Sequence, residues 1–524
     1  MDIDVPVAIV GGGPCGMMTS LLLARAGVES AVFERKPGTS AHPKAMGVSR
    51  RTAEILRQHG LMERILGGSL PIEGHFLGIW GKSLIGEEYG RVPLTALHSD
   101  FSPCKPLHCP QTWTEKVLLE ALDHEPVAQV HFSSEVVSID PREDEVLLQL
   151  STGETVHAQW VVAADGAGSG VRRQLSVETD GPGDMGHFVN VMFRAGYGQH
   201  LADRRAILYQ ALSQEYFEAF VAVNGDDLWL MHHFLQPNET PEDYTKGRFE
   251  GIIKHVSGLP SEPVEVISMR PWVMSPKLAM RFRVGRIFLV GDAAARLSPA
   301  GALGLNTGLQ SSHNLAWKLA AVVRGDASDV LLDSYEPERH TAALRTMENT
   351  NDNAFEVYEI IQAGLRGDED HVRELVSRSR RGGAGLGQDL GVVYESGAFV
   401  SDGTKPPKVA DAINDYIPSA CPGCRAPHVW IDRNEGRRSI LDLFEGSLVL
   451  VVGRNGAAWP ELPLGSRVRN MAHFVCDEFE TIYGIGETGA VLVRPDGYVG
   501  ARFKSAPEDP EGALHEALYG ILSK

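Results

Sequence analysis

The chain has 524 residues, of which 43% are hydrophobic and 22% are charged, and this predicts a globular protein of two to four domains. Its formal net charge of −19 argues against a nucleic-acid partner, because phosphate binding depends on clustered Lys and Arg. Six cysteines are too few for a disulfide framework in a chain of this length. The apolar stretch 5–26 is interrupted by glycines and follows Asp2 and Asp4, so we expect a cytoplasmic protein without membrane association.

The first forty residues predict a βαβ unit. Residues 5–10 (VPVAIV) have the composition of a buried strand, and residues 17–26 (MMTSLLLARA) that of a buried helix. A second strand is predicted at residues 29–33 and ends at Glu34. The stretch GGGPCG at residues 11–16 has GxGxxG spacing and separates the first strand from the helix. This order predicts a dinucleotide-binding site.

Each glycine of this motif has a separate physical role. Gly11 permits the tight turn, Gly13 lets the backbone approach a pyrophosphate, and Gly16 lets the helix pack on the strand. The N-terminus of the helix then offers N–H groups and a positive dipole end to the phosphates. Glu34 stands where an acid accepts hydrogen bonds from a ribose. The motif does not separate NAD from FAD, because both carry an adenosine ribose and a pyrophosphate.

A second strand followed by glycines occurs at residues 160–175 (WVVAADGAGSGVRRQL). Gly166 and Gly168 fit the fingerprint, but Val171 occupies the position of the third glycine. We therefore expect one Rossmann-type nucleotide site and no separate site for a nicotinamide.

Two helices are predicted between these glycine motifs, within residues 42–61 and over residues 109–122. The first begins with Arg50 and Arg51. These cations either serve the phosphates of a ligand or form a solvated helix start, and the sequence leaves both interpretations open.

Residues 185–280 change to β-like runs separated by turns, such as NGDD at 224–227. A sheet inserted in an α/β chain is a suitable floor for a substrate pocket. Candidate lining residues are Tyr209, Tyr216, His232 and Trp272, although each of these residue types is also common in ordinary packing.

A further glycine-rich stretch, GDAAARLSPAGALGLNTG, occupies residues 291–308. A buried strand is predicted before it at residues 286–290, and a helix is predicted after it at residues 307–323. The stretch therefore contributes a Gly-Asp turn, a glycine loop and a helix N-terminus, which offer backbone donors instead of catalytic side chains.

These motifs together resemble the class A FAD-dependent aromatic hydroxylases of the p-hydroxybenzoate hydroxylase fold. The resemblance covers about residues 1–345 in order, through GGGPCG with Glu34, PKA at 43–45, PQ at 110–111, Asp165-Gly166, Gly291-Asp292, PAGALGLNTG at 299–308 and LLDSYEPER at 331–339. The C-terminal PGCRAPH (422–428) and VLVRPDGYV (491–499) are similar to the tail of the phenol and polyketide hydroxylase branch.

The resemblance implies an α/β fold with a Rossmann-type FAD-binding domain, an inserted mainly-β substrate domain and a C-terminal thioredoxin-like α/β domain. The expected boundaries are 1–175 and 281–365 for the FAD-binding domain, 176–280 for the substrate domain, 366–410 for a linker and helix, and 411–524 for the C-terminal domain. The stretch SRSRRGGAGLG at 377–387 is interpreted as part of the linker.

By the same resemblance, Glu34 would bind the adenosine ribose, and Lys44 would stand near the pyrophosphate. Gln111 would approach the flavin, Asp165 would brace the nucleotide groove, and Asp292 would bind the ribityl–pyrophosphate region. No metal site is expected. The complete set of expected cofactor residues is Gly11, Gly13, Pro14, Cys15, Gly16, Glu34, Arg35, Lys44, Gln111, Asp165, Gly166, Asp292, Pro299, Gly304, Leu305 and Asn306. Pro299 is also expected at the border of the substrate pocket.

The chain departs from the family pattern at two positions. The family often has His after Gly-Asp-Ala-Ala, where this chain has Ala295. It often has Asp five residues after the Asn of the glycine loop, where this chain has Ser311. Neither change removes a backbone donor, so FAD binding is still expected.

The implied activity is NAD(P)H-dependent hydroxylation of a phenol or an aromatic polyketide by a flavin C4a-hydroperoxide formed with O2. Ionising the phenol would need a base or proton relay, for which His232 and His233 are the candidates. Baeyer–Villiger oxygen insertion, an NAD-dependent dehydrogenase and an FAD-bound accessory protein without turnover are the alternatives. NADH and NADPH are both open, and a homo-oligomer is compatible with the sequence.

The pair Cys421 and Cys424 forms a CxxC motif in the C-terminal region. A redox-active pair belongs at a helix N-terminus, but here loop-forming Arg425-Ala426-Pro427 follows, and two further zinc ligands are missing. We therefore interpret this motif as structural.

Overall fold

The structure is a computed structural model that describes residues 2–94, 99–379, 385–433, 436–459, 468–471 and 479–523. Its elements are given in chain order. The first part contains β1 (Asp2–Val10), α1 (Pro14–Arg25), β2 (Ser30–Phe33), β3 (Gly47–Val48), α2 (Arg50–Gln58), α3 (Met62–Leu66), β4 (Phe76–Gly81), β5 (Glu88–Pro93), β6 (Leu107–His108), α4 (Gln111–Leu122), β7 (Ala128–His131), β8 (Val136–Pro141), β9 (Val146–Leu150), β10 (Thr155–Ala163) and α5 (Gly170–Gln174). The middle part contains β11 (Thr179–Asp180), β12 (Gly186–Arg194), β13 (Ala206–Leu212), β14 (Phe217–Ala222), β15 (Leu228–Phe234), α6 (Lys246–Ser257), β16 (Glu265–Met274) and β17 (Lys277–Ala279).

The chain then returns to the first part with β18 (Arg283–Val284), β19 (Ile287–Leu289), β20 (Ala295–Arg296), α7 (Gly304–Val323), α8 (Tyr335–Leu365), α9 (Glu369–Arg378) and α10 (Leu386–Leu390). The C-terminal part contains β21 (Trp430–Arg433), β22 (Gly436–Ser439), β23 (Leu448–Val452), β24 (Val468–Met471), α11 (Phe479–Tyr483), β25 (Ala490–Val493), β26 (Val499–Phe503) and α12 (Pro510–Leu522).

The N-terminal sheet is of the Rossmann type. Its strand order is β18-β19-β10-β1-β2-β7, and the pairs β19–β10, β10–β1, β1–β2 and β2–β7 are parallel. Val7 and Ile9 of β1 and Val161 and Val162 of β10 are fully buried, as expected for a parallel sheet covered on both faces. β1, β2, β19 and α1 confirm the strands and the helix predicted for this unit.

The second sheet has the order β16-β12-β15-β14-β13-β4-β5. Its last two strands come from residues 76–93, outside the expected insert at 176–280. They belong to the sheet because β4 pairs in parallel with the free edge of β13, with Ala206 opposite Phe76. The boundary at residue 175 is therefore corrected, since the substrate sheet also includes β4 and β5. α6 covers one face of this sheet through Phe249 and Ile253.

The C-terminal sheet has the order β24-β23-β25-β26. β23 and β24 are parallel, whereas β25 is antiparallel to both β23 and β26. With α12 packed on this sheet through Leu514 and Ile521, the arrangement is thioredoxin-like, as expected.

A buried ionic cluster joins α7 and α8 to the C-terminal domain. The Glu338 carboxylate accepts bonds from Lys318 Nζ at 2.8 Å and from both terminal nitrogens of Arg494 at 2.8 Å. Arg494 also pairs with Asp496, and Asn314 Nδ2 donates to both acids. Burial alone would raise the pKa of Glu338, but Arg494 and Lys318 lower it well below the ordinary range.

The two arginines at the start of α2 take part in the same interface. Arg50 pairs with Asp389 at 3.4 Å, and Arg51 pairs with Glu54 at 2.9 Å and donates to the Asp496 carbonyl. Arg50 is completely buried and Arg51 nearly so. Both sequence interpretations, phosphate binding and a solvated helix start, are therefore wrong, because acidic and carbonyl groups distant in the chain bind these cations. Glu54 also binds Arg425.

The CxxC segment lies in a buried turn, with the Cys424 N–H donating to the Cys421 carbonyl at 2.9 Å. Both thiols are free, and burial raises the pKa of Cys424 to about 12. The turn is not at a helix N-terminus, which agrees with the structural interpretation. Of the expected linker 377–387, residues 380–384 lie outside the described residues. None of the helices in the described ranges is long and apolar enough to cross a membrane.

Candidate functional site

The turn between β1 and α1 forms the floor of a groove at the carboxyl edge of the parallel sheet. Gly11 has φ +105°, and a Cβ there would collide with the Ala164 carbonyl. A Cβ on Gly16 would collide with the Gly11 carbonyl, whereas a Cβ on Gly13 meets nothing within 4 Å. Gly11 and Gly16 therefore close the turn, while Gly13 borders open space. The close contacts at Gly11 and Gly16 agree with the roles predicted for them, while the approach of a pyrophosphate to Gly13 stays a prediction.

The first residues of α1 present backbone to this groove. Pro14 is the first residue of the helix, where its missing N–H costs no hydrogen bond. The side chain of Cys15 points away, because its Sγ occupies the space beside Gly291 and Gly308. Burial raises the pKa of the Cys15 thiol to about 12, so it stays protonated. Cys15 packs α1 against α7 and offers only its backbone to a ligand.

Glu34 lies at the end of β2, on the far side of the turn. Its carboxylate accepts the Gly12 N–H at 2.8 Å and the Lys36 N–H at 2.9 Å. The neighbouring Arg35 is exposed at the same edge. An acid fixed beside the glycine turn is the arrangement that binds a ribose in this type of sheet.

Asp165 and Gly166 follow β10, next to the glycine turn. Asp165 Oδ2 accepts the Val171 N–H at 3.1 Å, but its Oδ1 is buried without a hydrogen-bond partner. Gly166 has φ +80° and borders open space. The unpartnered Oδ1 is therefore available to accept a hydrogen bond from a ligand.

Asp292 lies in the single turn Gly291–Ala293 that follows β19. Asp292 is exposed. Desolvation by the surrounding protein raises the pKa of its carboxyl, while Lys44 and Arg296 act in the opposite direction. Lys44 is itself exposed near Asp292, so the structure brings together two residues that are 248 positions apart in the chain.

The N-terminus of α7 forms the end of the groove. The first helical bond runs from the Thr307 N–H to the Leu303 carbonyl at 2.9 Å, so Gly304, Leu305 and Asn306 precede the helical ladder. The Asn306 side chain is fully used in holding the loop: its Oδ1 accepts the Ser49 N–H at 2.8 Å, and its Nδ2 donates to the carbonyls of Gly47 and Ala302. Its contribution to a ligand is therefore its backbone.

Two further expected residues flank this end. Pro299 is exposed in the loop before α7. Gln111 begins α4, and its Nε2 donates to Glu115 Oε1 at 2.7 Å while its N–H donates to the Ala45 carbonyl at 2.8 Å. The Gln111 side chain is thus occupied by Glu115 in this conformation.

One face of the second sheet carries a row of polar side chains, which we call the polar row: Asn190, His232 and Gln210. The row crosses four neighbouring strands. Asn190 of β12 pairs with His232 of β15, His232 pairs with Ala219 of β14, and Ala219 pairs with Gln210 of β13. Asn190 and Gln210 are only 6% and 7% exposed, yet Asn190 Oδ1, Gln210 Oε1 and His232 Nδ1 are all buried without a partner. The row therefore has unused hydrogen-bonding capacity on one face.

His42 and Trp272 extend the polar row toward the groove. His42 Nδ1 bonds Ser268 Oγ at 2.7 Å, which fixes the ring beside the sheet and leaves its buried Nε2 without a partner. Trp272 contacts His232 edge-on, at 6.1 Å between ring centroids, and its Nε1 is also unpartnered. Burial lowers the pKa of His232 to about 4 and also lowers that of His42, so both rings are neutral near pH 7.

Two of the candidate pocket residues lie on the other face of this sheet. Tyr209 packs against Trp229, and its hydroxyl donates to the Arg204 carbonyl at 2.9 Å. Tyr216 contacts His255 of α6 and donates to the Lys82 carbonyl at 2.8 Å. The expectation that they line the pocket with His232 is corrected, because the alternation of the strands directs them toward α6.

His233 also faces α6. Its Nδ1 bonds Glu218 Oε1 at 2.6 Å within an aromatic cluster, so it is not available as a base on the face of the polar row.

Sequence reasoning missed His42, Asn190 and Gln210. The signal was present for two of them, since Asn190 and Gln210 are isolated polar residues at positions of apolar strands that alternate toward one face. His42 adjoins the Pro-Lys-Ala motif, but nothing local connects it to Ser268, its partner 226 residues further along the chain.

A cavity of about 370 Å³ opens beside this face. It lies between Pro43, the Trp113 ring of α4, and Met192 and Leu228 of the sheet. Its volume is within the ordinary range for small-molecule sites.

The parallel sheet and the glycine-lined groove define a dinucleotide-binding protein of the Rossmann type. Residues 4–350 match the family described as FAD binding domain, and residues 419–524 match the family described as aromatic-ring hydroxylase, C-terminal. The chain belongs to the FAD-dependent aromatic-ring hydroxylases and is a flavin-dependent monooxygenase.

Known relatives span the whole chain. The sequence is 32% identical over 571 residues to the tetracenomycin A2 monooxygenase-dioxygenase of Streptomyces glaucescens, covering 99% of this chain and 97% of that protein. The structure is similar to that of the flavin-dependent monooxygenase PieE in complex with FAD and substrate, with a TM-score of 0.93, 29% identity and 99% coverage of both chains. It is also similar to a ternary complex of aklavinone-11 hydroxylase with FAD and aklavinone, with a TM-score of 0.86, 30% identity and full coverage of both chains.

Proposed function

We propose that this enzyme uses NADPH or NADH and O2 to hydroxylate a polycyclic aromatic substrate that carries hydroxyl groups along one edge. The observation that supports this substrate class is the polar row, with its buried and unpartnered side-chain atoms. Aromatic polyketides have this chemistry, and proteins named for such substrates are among the relatives of the chain.

FAD fits the groove in its chemistry and in its space. The open side of Gly13 gives room for a pyrophosphate, and the carboxylate of Glu34 suits the adenosine ribose. Asp292 and Lys44 border the region between pyrophosphate and flavin. We propose as FAD-binding residues Gly11, Gly13, Pro14, Cys15, Gly16, Glu34, Arg35, Lys44, Gln111, Asp165, Gly166, Asp292, Pro299, Gly304, Leu305 and Asn306. When bound, FAD takes two electrons from NAD(P)H and activates O2.

The N-terminus of α7 would stabilise negative charge on the flavin ring. The N–H groups of Gly304, Leu305 and Asn306 are free of the helical ladder, and the dipole of the helix places its positive end there. Asn306 holds these donors in place through its three side-chain bonds. Such preorganised donors need no side-chain acid.

The length of the polar row favours a substrate of several fused rings. Asn190 and Gln210 lie three strand intervals apart, which corresponds to roughly 14 Å at about 4.8 Å per interval. A single ring is about as wide as one interval and reaches only one of these side chains at a time. A polycyclic substrate can donate hydroxyl protons to both oxygens and accept a bond from Trp272 Nε1.

The neutral imidazole of His42 would accept the proton of a substrate hydroxyl, through its unpartnered Nε2. His232 has an unpartnered nitrogen near Trp272, but its pKa of about 4 makes it a weak base, so it would accept only a hydrogen bond. Ser268 holds the His42 ring by its other nitrogen. Removing the phenolic proton raises the electron density of the ring carbon that receives oxygen. Pro299 and Trp272 would border the same pocket.

The described residues include Cys15, Cys104, Cys109, Cys421 and Cys424, all of which carry free thiols. Free thiols are typical of proteins from a reducing compartment, which supports a place of action in the cytoplasm.

The test combines turnover with ligand binding. The purified protein with added FAD is supplied with NADPH or NADH and with phenol, anthraquinone or 2,7-dihydroxyanthraquinone as probes. We expect 2,7-dihydroxyanthraquinone, whose hydroxyls stand at the two ends of one edge, to accelerate NAD(P)H oxidation most and to gain one oxygen atom as a hydroxyl group, located by NMR after reaction in 18O2. A ring-expanded ester would indicate Baeyer–Villiger insertion, and no accelerated oxidation with any of these probes would contradict the proposed substrate class.

The residue assignment is tested by Asn190→Leu and Gln210→Leu. Each is expected to weaken binding of 2,7-dihydroxyanthraquinone by about fivefold, since each removes one hydrogen bond of about 1 kcal/mol. Tyr216→Phe is the matched control, because its hydroxyl lies on the other face of the sheet. Unchanged affinity in both leucine variants, or equal affinity for phenol, would contradict the proposed substrate orientation.

A further inference from the structure

One buried cation beside the start of α7 has only neutral hydrogen-bond partners. Arg339 of α8 is 2% exposed, and its guanidinium donates to Ser311 Oγ at 3.1 Å, to the Tyr394 hydroxyl at 3.1 Å and to the Thr307 carbonyl at 3.4 Å. Burial raises the pKa of Tyr394 well above its ordinary value, so this phenol is neutral. A guanidinium remains protonated in proteins, so Arg339 carries a full positive charge.

The neighbouring buried cations differ from Arg339 in this respect. Lys318 and Arg494 bind the Glu338 carboxylate, and Arg425 binds the Glu54 carboxylate. In those pairs the positive and negative charges largely cancel at a distance. The hydrogen bonds of Arg339 satisfy its donors but leave its charge uncompensated by those partners.

This charge lies close to the proposed position of the flavin ring. Thr307 and Ser311 are in the first two turns of α7, and at about 1.5 Å per residue Ser311 is roughly 9 Å along the axis from Leu305. The intervening protein is buried, and charges separated by buried protein are screened far less than charges across solvent. Ser311 is also the position where the resembling family often has Asp, which would place a carboxylate against this guanidinium.

We infer that Arg339 tunes the flavin electrostatically: its uncompensated charge, next to a neutral Ser311, raises the midpoint potential of the bound FAD. The flavin gains negative charge when it accepts electrons, and a nearby cation stabilises that state more than the oxidised state. Arg339 acts in the same direction as the dipole of α7. This inference rests on the proposed placement of the flavin ring at the N-terminus of α7.

The experiment measures the two-electron midpoint potential of FAD in the holoenzyme, by anaerobic reductive titration against reference dyes. Arg339→Met removes the charge, and Ser311→Asp compensates it. In both variants we expect the equilibrium constant for two-electron reduction to fall at least tenfold, which is about 30 mV. Arg339→Lys keeps the charge, and Ser311→Asn is the uncharged match for Ser311→Asp. In both of these variants the equilibrium constant for two-electron reduction should stay within threefold of that of the starting protein.

The controls separate charge from structure and from the proposed function. The inference would be overturned if Arg339→Met and Ser311→Asp had the same midpoint potential as the starting protein. An equally large fall in Arg339→Lys or Ser311→Asn would also overturn it, because the effect would then be structural. If Arg339→Met does not fold, the pair Ser311→Asp and Ser311→Asn decides the question. If the starting protein binds no FAD, the proposed function itself fails.

Discussion

The two ends of α7 treat their polar groups differently, since one end belongs to the proposed FAD site and the other to a domain interface. At its N-terminal end, the backbone N–H groups of Gly304 and Leu305 precede the helical ladder, and we propose that they face the flavin. Two to four turns further on, Asn314 and Lys318 belong to the ionic cluster with Glu338 of α8 and Arg494 of the C-terminal domain. The N-terminal end of α7 keeps backbone N–H groups outside the helical ladder, whereas the interface end pairs its charged side chains with other side chains of the protein.

This difference has a physical reason. A buried charge is costly unless it is paired and hydrogen-bonded, so the interface must supply its own counter-charges. A binding site gains affinity from groups that the protein leaves unpaired and holds in place. Asp165 Oδ1 and Gln210 Oε1 are buried without a partner, and we propose that ligands bind them. The following predictions test this contrast, from the largest expected effect to the smallest.

Removing the central charge of the interface should have the largest effect. Glu338→Gln leaves Lys318 and Arg494 buried with an uncompensated charge, and we expect a loss of about 3–5 kcal/mol in stability. The measurement is the first transition in denaturant unfolding of the holoenzyme. Asp140→Asn, which removes one acid of an exposed pair with Arg142, is the control and should cost below about 1 kcal/mol. Equal effects of the two changes would contradict the assigned role of the cluster.

Asp389 should make stability depend on pH. Burial raises its pKa to about 6, with Arg50 acting in the opposite direction, whereas the ordinary value is 3.8. Because the folded state binds the proton more tightly, this contribution is fully present below about pH 4 and is lost as the pH rises through 6. The full change is about 3 kcal/mol.

The variant Asp389→Asn should remove this part of the pH dependence, measured as the first unfolding transition between pH 4 and 7. An unchanged slope in the variant would show that Asp389 does not titrate in this range.

Filling the open side of the glycine turn should weaken cofactor binding without affecting the fold. In Gly13→Ala the new methyl group meets no protein atom within 4 Å, so stability of the FAD-free protein should be unchanged. We expect the Kd for FAD, measured by flavin fluorescence, to rise at least tenfold because the methyl group occupies the space of the pyrophosphate.

The matched control for this change is Gly247→Ala, whose methyl group also meets nothing within 4 Å but lies in α6, away from the groove. Equal FAD affinity in the two alanine variants would place the pyrophosphate elsewhere.

The polar row should show the smallest effect on stability. Replacing Asn190 or Gln210 by Leu removes a buried oxygen that has no partner, so each change should be neutral or stabilising in the absence of substrate. The same first unfolding transition checks this prediction. A loss above about 1 kcal/mol in either variant would mean that these oxygens are satisfied within the protein, and the polar row would lose its assigned role.

The sequence predicted the elements whose requirements are local. The turn at Gly11 needs a positive φ, and the approach of α1 to β1 needs Gly16 without a Cβ. Both requirements are visible in a few consecutive residues, as is the Gly-Asp turn at Asp292 followed by a helix. These features were sufficient to predict the Rossmann-type sheet, whereas the use of FAD was implied by the resemblance of the whole set of motifs to the FAD-dependent aromatic hydroxylases.

Residues whose roles depend on distant strands were predicted poorly. Arg50 and Arg51 were assigned to phosphate or to solvent, although Asp389 and the Asp496 carbonyl bind them. Tyr209 and Tyr216 were assigned to the pocket, although strand alternation directs them toward α6.

The sequence by itself therefore determined the dinucleotide-binding framework, because backbone conformation and close packing at Gly11 and Gly16 depend on neighbouring residues. Only the tertiary structure decided which side chains form the polar row and which charges form the interface. The reason is that Asn190, His232 and Gln210 meet through strand register, and register is set by pairing between segments that are far apart in the chain.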